Sequence, residues 1–505
     1  MIEIDPEDLV LDGINGMLES LDPYTNYLDE AETEDIDLLT HGSYVGLGIT
    51  VATMDSMLTI VEVRDGFPAD NNGIRPGDRI YKINDTLLIY KNTEELRKYT
   101  RGKPGSRIDL TYIREGVDDT VTVNIPRQEI RVDNISYYGM IDDSVGYIKL
   151  DRFSRLAANE VKNAIVEMRL NNDLKGLILD LRDNPGGLLE AAVSVCELFV
   201  EENSPIVTTK SRFAGGEKTY ESNVKPVAPE LDLAVLINRN SASASEIVAG
   251  AIQDLDRGII LGERSFGKGL VQSVFNLPYN NSLKMTTSRY FTPSGRSIHR
   301  IKYDPDRRNF NKAYFPDDSG TVYYTKNGRR VYESKGITPD SIIRNIYYSE
   351  YISQMMKKNL IFNFATIYAS RLNFLPKDFA VNDKILHQFR KYLQSKDFEY
   401  ESKLTREVRI LEEDAREEGL GKEVIQQIQK LSDEIDRFSE QAFEKHKDEL
   451  KDILYKEIAR RFYSENRMVE ISIQDDPVVE IAIDLLEPVS YDGLLTNTGK
   501  DGTKQ

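Results

Sequence analysis

Three short, almost unbroken apolar runs limit what this chain can build: Gly176-Leu177-Ile178-Leu179-Asp180-Leu181, Leu233-Ala234-Val235-Leu236-Ile237 and Gly258-Ile259-Ile260-Leu261-Gly262. Runs this short, bounded by turn residues, predict strands covered on both faces, as in a parallel sheet between two layers. Val145-Gly146-Tyr147-Ile148-Lys149-Leu150 reads as a fourth strand. Helical periodicity follows over 156–171, after Gly187 and over 244–254. Alternation of this kind predicts a layered α/β core, placed at 129–345.

The chain has 505 residues, and at roughly 150 residues per domain that predicts about three domains. Residues 7–21 carry Leu9, Ile14, Met17, Leu18 and Leu21 at helical spacing, so 1–42 is read as an N-terminal helical segment. Residues 43–128 change texture. Short alternating runs such as Leu58-Thr59-Ile60-Val61-Glu62-Val63 and Ile108-Asp109-Leu110-Thr111-Tyr112 are divided by Asp65-Gly66 and Pro76-Gly77-Asp78. They predict a β-rich module with a short helix opened by a capping Thr93. Residues 346–495 are predicted helical. Ile425, Ile428, Leu431, Ile435 and Phe438 form an apolar stripe, Gly419 and Gly421 break helices, and Asp476-Pro477 starts a last one. Residues 496–505 read as a disordered tail.

Composition removes several functions. The net charge is −19, which disfavours a nucleic-acid partner. The single cysteine, Cys196, lies in an apolar run and is expected in the core. One cysteine and four histidines without metal-ligand spacing predict no metal site, and no cofactor motif is complete. No apolar stretch is long enough for a membrane span. Met1-Ile2-Glu3-Ile4-Asp5-Pro6 lacks the charge and apolar run of a signal peptide, so the expectation is a cytosolic protein or one whose export signal is missing from this chain.

Three segments could carry chemistry, and each follows a predicted buried strand. Asn238-Arg239-Asn240-Ser241-Ala242-Ser243-Ala244-Ser245-Glu246-Ile247 runs into a helix, where free N–H groups suit an oxyanion; its serines could equally be caps. Gly262-Glu263-Arg264-Ser265-Phe266-Gly267-Lys268-Gly269-Leu270-Val271-Gln272 offers a lysine between glycines, without the rest of a phosphate loop. Asp180-Leu181-Arg182-Asp183-Asn184-Pro185-Gly186-Gly187 offers a glycine pair, as a backbone donor site or a plain turn. Together they supply a hydroxyl, an amine and amide donors at one sheet edge, the parts of a Ser-Lys acyl-transfer site.

In this order, with Gly46-Leu47-Gly48-Ile49 and Gly73-Ile74-Arg75-Pro76-Gly77-Asp78, these motifs closely resemble the carboxyl-terminal processing, or tail-specific, proteases over about residues 7–340. The resemblance implies a multidomain α/β protein: a PDZ module at 43–128 joined to a crotonase-like peptidase core. It implies a serine endopeptidase with Ser243 as nucleophile, Lys268 as general base and Gln272 as support for the lysine. The amides of Ala244 and Gly186 would be the oxyanion donors, and Gly46, Leu47, Gly48 and Ile49 would bind a peptide carboxylate. Ser241 and Ser245 are left as turn and helix-start residues. Substrates would be proteins or peptides with accessible C-termini, and the location the periplasm or cell envelope. The helical region has no transferable motif. It leaves dimerisation as a homodimer, substrate access and docking of an adaptor or activating partner open. Two other readings stand beside this one: a catalytically silent PDZ-containing scaffold, and thioester chemistry on the crotonase-like core.

For Lys268 to act as a base its pKa must fall from about 10.4 to about 7–8, roughly 4 kcal/mol of bias against the charged form. Burial supplies this and a carboxylate opposes it. The expectation is a buried Lys268 beside Ser243, without an acidic partner in contact.

Overall fold

The computed structural model of the chain describes residues 6–30, 32–33, 38, 40, 42–212, 216–301, 321–333, 336–344 and 348–496. The tail expected beyond 496 lies outside them. The chain forms two compact units. The first takes Met1–Tyr44, Glu129–Asn345 and Val469–Gln505; the second takes Val45–Gln128 and Ile346–Met468.

The first unit is built on a six-stranded sheet ordered Ile135–Met140, Val145–Leu150, Gly176–Asp180, Asp232–Ile237, Ile259–Gly262, Ser341–Ile342. The first pair is antiparallel and the rest are parallel. Side chains alternate between two cores, as the pleat requires. Ile148, Leu150, Leu177, Leu179, Leu233, Val235, Ile237 and Ile260 belong to one core, with the helices Ala157–Asn171, Leu189–Cys196 and Ala244–Asp254. Val145, Tyr147, Ile178, Ala234, Leu236, Ile259 and Leu261 belong to the other.

The cover of that second face is Ile473, Val478, Val479, Ala482, Leu486 and Tyr491. Within the helical region expected at 346–495, the last helices pack on this face of the sheet, while Ile346–Met468 falls in the second unit. Asp476 caps Pro477–Leu485 by accepting from Val478 N at 2.9 Å, with proline at the first helical position, as expected of that pair. The other Asp476 oxygen lies 2.8 Å from Arg182, which also pairs with the buried Asp180. Cys196 is buried in the first core, where burial pushes its thiol pKa up.

A second, antiparallel sheet of this unit pairs Asn26–Leu28, Pro205–Lys210 and Leu270–Asn276 with the long strand Ser282–Phe291, and Glu217–Glu221 with Pro205–Lys210. The N-terminal helix Pro6–Glu19 keeps Leu9 and Met17, and the residue Leu21 beyond it, exposed rather than in a core.

In the second unit Ile49–Met54, Met57–Val63, Arg79–Ile83, Arg107–Ile113 and Val121–Pro126 form an antiparallel sheet in that order. It encloses Leu58, Ile60, Ile80, Ile83, Leu110 and Ile125. The helix Thr93–Thr100 is capped by Asn92, not Thr93: Asn92 accepts from Glu95 N at 2.8 Å and the Glu95 carboxylate accepts from Asn92 N. The paired helices Lys403–Glu417 and Lys422–Glu440 turn at Gly419, whose φ of +72° suits glycine. Their expected stripe is only partly buried. Ile428 packs with Val408 and Ala415, whereas Leu431 and Phe438 face solvent. No helix among the described residues is long and apolar enough to cross a membrane.

Asp476 makes two separable contributions, a cap and a charge. Asp476→Asn keeps a capping oxygen and loses the ion pair, whereas Asp476→Ala loses both. Urea unfolding should show Asp476→Ala less stable than Asp476→Asn by about 1 kcal/mol, and equal stability would show that the cap contributes nothing.

Candidate active site

The motif segments that follow Asp180 and Ile237 lie together because their strands do. Gly176–Asp180 and Asp232–Ile237 run parallel with Asp180 opposite Leu236, so both chains leave the sheet at one edge. Buried side chains then cross-link the two exits. Ser241 Oγ donates to Leu181 O at 2.8 Å, Ser245 Oγ donates to Asn184 O at 2.9 Å, and Ala242 N donates to the same carbonyl at 3.1 Å. Asn238 Oδ1 accepts from Asp183 N, and Asn238 Nδ2 donates to Asp183 Oδ1. Two of the three serines are thus consumed in holding the loops together.

Ser243 differs from both. Its backbone has φ +54° and ψ −111°, a region costing a non-glycine residue on the order of 1–3 kcal/mol. Among the described residues its hydroxyl proton has no acceptor, although the Ser243–Glu246 turn has the geometry of a capping box. It stands at the cap of Ala244–Asp254, and the Ala244 amide, first in that helix, finds no acceptor among the described residues.

Gly186 lies against this turn. A Cβ there would sit 2.7 Å from Ala242 O, 2.9 Å from Ala244 N and 3.0 Å from Ser243 Cβ, and its φ is +104°; only glycine fits. Its amide, however, donates to Asn184 Oδ1 at 2.8 Å. The amide expected as an oxyanion donor is thus engaged by the Asn184 side chain in this conformation. The next amide, Gly187 N, has no acceptor among the described residues.

Lys268 precedes the strand Leu270–Asn276. The flanking glycines have a packing cause rather than a phosphate-binding one. A Cβ at Gly267 would meet Arg300 Cβ at 2.6 Å, and one at Gly269 would meet His299 at 3.0 Å. The Lys268 ammonium lies 4.9 Å from the centre of the Tyr24 ring. Burial lowers its pKa and Lys284 adds to this, while Glu246 and Asp22 act the other way through space. No carboxylate among the described residues forms a salt bridge with it, nor does its amine bond Ser243 Oγ. Gln272 follows a bulge at Val271, and its buried amide nitrogen lacks a partner among the described residues.

Sequence reasoning missed three residues here. Glu246 is fully buried and accepts from the amides of Ser243, Gly267 and Lys268 and from Ser265 Oγ. Its signal was present: Ser243-Ala244-Ser245-Glu246 has the capping-box spacing, in which the acid reaches back to the cap amide. Tyr290 Oη lies 2.7 Å from Lys268 O and 3.1 Å from Ser243 O. Tyr24 arrives from the N-terminal segment, whose strand Asn26–Leu28 pairs with Ser282–Phe291; nothing local marks it. Asp254 is a structural residue, in a buried ion pair with Arg296 at 2.8 Å.

In the second unit, Gly48 has φ +80°, and a Cβ there would meet Phe67 Cβ at 2.8 Å. Leu47 O and Gly48 O accept from Ala69 N and Arg64 N, each at 2.9 Å. The amides of Leu47 and Gly48 find no acceptor among the described residues. Ile49–Met54 follows directly as an edge strand of its sheet.

Comparison with known proteins identifies the family. Residues 144–308 match the model of peptidase family S41, residues 45–125 that of a PDZ domain, and residues 351–486 that described as a probable PDZ-protease C-terminal helical domain. A carboxy-terminal-processing protease of Bartonella bacilliformis is 39% identical over 305 residues, 60% of this chain and 70% of that protein. Carboxy-terminal processing protease CtpA of Bacillus subtilis is 33% identical over 319 residues, 63% of this chain and 66% of that one. Among solved structures, a photosystem II D1 C-terminal processing protease is 26% identical, with 68% of this chain and 83% of that chain covered and a TM-score of 0.38. The chain belongs to the carboxy-terminal-processing proteases of peptidase family S41 and carries a PDZ domain.

Proposed function

We propose that this chain is a serine endopeptidase that holds substrate tails in its PDZ domain and cleaves through an acyl-enzyme on Ser243. The observation that carries the reading is the division of labour in the serine triplet: Ser241 and Ser245 donate their hydroxyl protons into the scaffold, while Ser243, on a strained turn, donates its proton to no acceptor among the described residues.

In this reading neutral Lys268 takes the proton from Ser243 Oγ as the oxygen bonds the substrate carbonyl carbon. The carbonyl oxygen becomes an anion, received by the amides of Ala244 and Gly187. Lys268 then gives the proton to the leaving amine as the carbon–nitrogen bond breaks, and water repeats the sequence on the ester. The ammonium must first leave the face of Tyr24, where the charged form is favoured. Gln272 is neutral and can accept from the amine without favouring its charge strongly. In the PDZ domain, the open amides of Leu47 and Gly48 would take a terminal carboxylate, and the edge Ile49–Met54 would take the tail as an added strand.

The silent-scaffold reading draws on the missing hydrogen bond between Ser243 and Lys268. A serine-reactive fluorophosphonate separates the two readings: labelling that Ser243→Ala abolishes supports the enzyme, and no labelling with or without peptide supports the scaffold.

Ser243→Ala should lower kcat by about 10⁶ with the fold intact. Ser241→Ala and Ser245→Ala should remain active but lose on the order of 1–3 kcal/mol of stability, because each removes a buried hydrogen bond that joins the two loops. A dead Ser241→Ala beside an active Ser243→Ala would move the nucleophile.

The pH profile tests the base. Lys268 works only when deprotonated, so kcat/KM should rise as pH passes through a lysine pKa lowered by burial, and should be lost below it. Lys268→Arg should be inactive at every working pH; an active arginine variant would eliminate the base role.

Tail recognition is read by binding to full-length Ser243→Ala. Amidating a peptide's carboxyl terminus should weaken binding by on the order of 1–3 kcal/mol. Equal affinity for free and amidated peptides would exclude the carboxylate loop and leave the Ser-Lys chemistry untouched.

A further inference from the structure

One buried carboxylate and one buried phenol touch the backbone of both reacting residues. Glu246 Oε2 accepts from Ser243 N at 2.9 Å and from Lys268 N at 2.8 Å. Its Oε1 accepts from Gly267 N at 2.7 Å and from Ser265 Oγ, which in turn accepts from Ile337 N. Tyr290 Oη stands between the carbonyls of the same two residues, 3.1 Å from Ser243 O and 2.7 Å from Lys268 O. Ser243 and Lys268 come from different strand exits, 25 positions apart in sequence. No side-chain hydrogen bond joins them directly among the described residues.

We propose that Glu246 and Tyr290 are positioning residues for the reaction, a pair of ties that join the peptide unit of the nucleophile to the peptide unit of the base. This assignment rests on the reading of Ser243 and Lys268 as nucleophile and base. Glu246 ties the two amides, and the single Tyr290 O–H is shared between the two carbonyls with its shorter contact to Lys268 O, so Ser243 and Lys268 cannot separate without breaking buried hydrogen bonds. Every hydrogen-bond partner of Glu246 is a donor, which is the environment of a carboxylate rather than of a protonated acid. Burial holds its pKa above the ordinary carboxylate value, and the four donors act the other way without cancelling the rise. Tyr290 is buried, and burial followed by the Glu246 charge raises its pKa well above the usual phenol range, so it stays a neutral donor.

The carboxylate also acts on the base. The groups that bear on the Lys268 ammonium are Lys284, Glu246, Asp22 and the Tyr24 ring. Lys284 disfavours the charged amine, whereas Glu246 and Asp22 favour it. Neutralising Glu246 removes one stabiliser of the protonated form, so the Lys268 pKa falls and the acid limb of the activity profile moves to lower pH. Removing the Tyr290 hydroxyl changes no charge and leaves the limb in place.

The test compares Glu246→Gln and Tyr290→Phe with wild type and Ser243→Ala, all full length, on one peptide substrate. A glutamine replaces one oxygen by an NH₂ group. Either the Ser243–Lys268 pair of amides or the Ser265–Gly267 pair of donors then faces a donor, whichever way the amide turns. Both variants should lose on the order of 10- to 100-fold in kcat with KM nearly unchanged, the cost of a small misplacement of reacting groups. The acid limb should move down in Glu246→Gln alone. Thermal unfolding accompanies the kinetics; if Glu246→Gln does not fold, Tyr290→Phe, which keeps its ring, decides the ties. Wild-type kcat in either folded variant, or a loss carried by KM, overturns the assignment. An unmoved limb in folded Glu246→Gln overturns the anionic role of Glu246. Ser243→Ala separates this failure from failure of the site itself: if that variant cleaves at the wild-type rate, the nucleophile is wrong, whereas a dead Ser243→Ala beside unimpaired Glu246→Gln and Tyr290→Phe sinks only the ties.

Discussion

The parallel pairing of Gly176–Asp180 with Asp232–Ile237 is the constraint on which the site depends. It brings the residues after Asp180 and after Ile237 to one edge, where each loop satisfies the other's buried polar groups. Leu181 O, Asn184 O and Asp183 on one side meet Ser241, Ala242, Ser245 and Asn238 on the other. A buried carbonyl without a donor costs about 1–3 kcal/mol, so the two loops hold their shape only together. That mutual closure holds Ser243 in a backbone conformation it would not adopt alone, and it requires Gly186 beside it, where a side chain would collide with Ala242 O.

Much of this was legible because the signals are local. The apolar runs predicted the doubly covered sheet, and alternation of their side chains between two cores is the physical content of that prediction. The owner of the second face was not legible. Residues 473–491 carry an ordinary helical pattern, and nothing within it tells a helix that covers a distant sheet from one that extends the preceding bundle. Arg182 and Asp476 illustrate the difficulty: they form an ion pair 294 positions apart in sequence. The stripe from Ile425 to Phe438 failed for the complementary reason, since periodicity shows which face could be buried and not whether a partner arrives.

At the site, the sequence marked the residues proposed to react more clearly than those around them. Ser243 and Lys268 stand in motifs with unusual small-residue content. Glu246 follows at a spacing that also describes an ordinary helix cap, so its wider role appears only when the loop of Lys268 is seen to fold over it. Tyr24 is further still from local inference. It reaches the lysine because Asn26–Leu28 joins the same sheet as Leu270–Asn276 through their common neighbour. Gly186 shows the opposite case: its identity was legible from the motif, while the use of its amide by Asn184 depends on a side-chain rotamer.

The surroundings of Lys268 work against one another, and the balance explains their composition. Burial and Lys284 favour the neutral amine, while Tyr24, Asp22 and Glu246 favour the ammonium. An amine kept wholly neutral would be a weak acid for the leaving group, and one kept wholly charged would be no base. Glu246 is compatible with the proposed base because its oxygens face neutral donors rather than the ammonium: it accepts from Ser243, Gly267 and Lys268 N and from Ser265 Oγ. The carboxylate is thereby engaged by donors that carry no net charge, which leaves only a through-space influence on the amine. A carboxylate in direct contact with the amine would have tied its proton in place. Set behind the backbone, Glu246 joins the peptide units of Ser243 and Lys268 and still leaves the amine free to give up its proton in the proposed reaction.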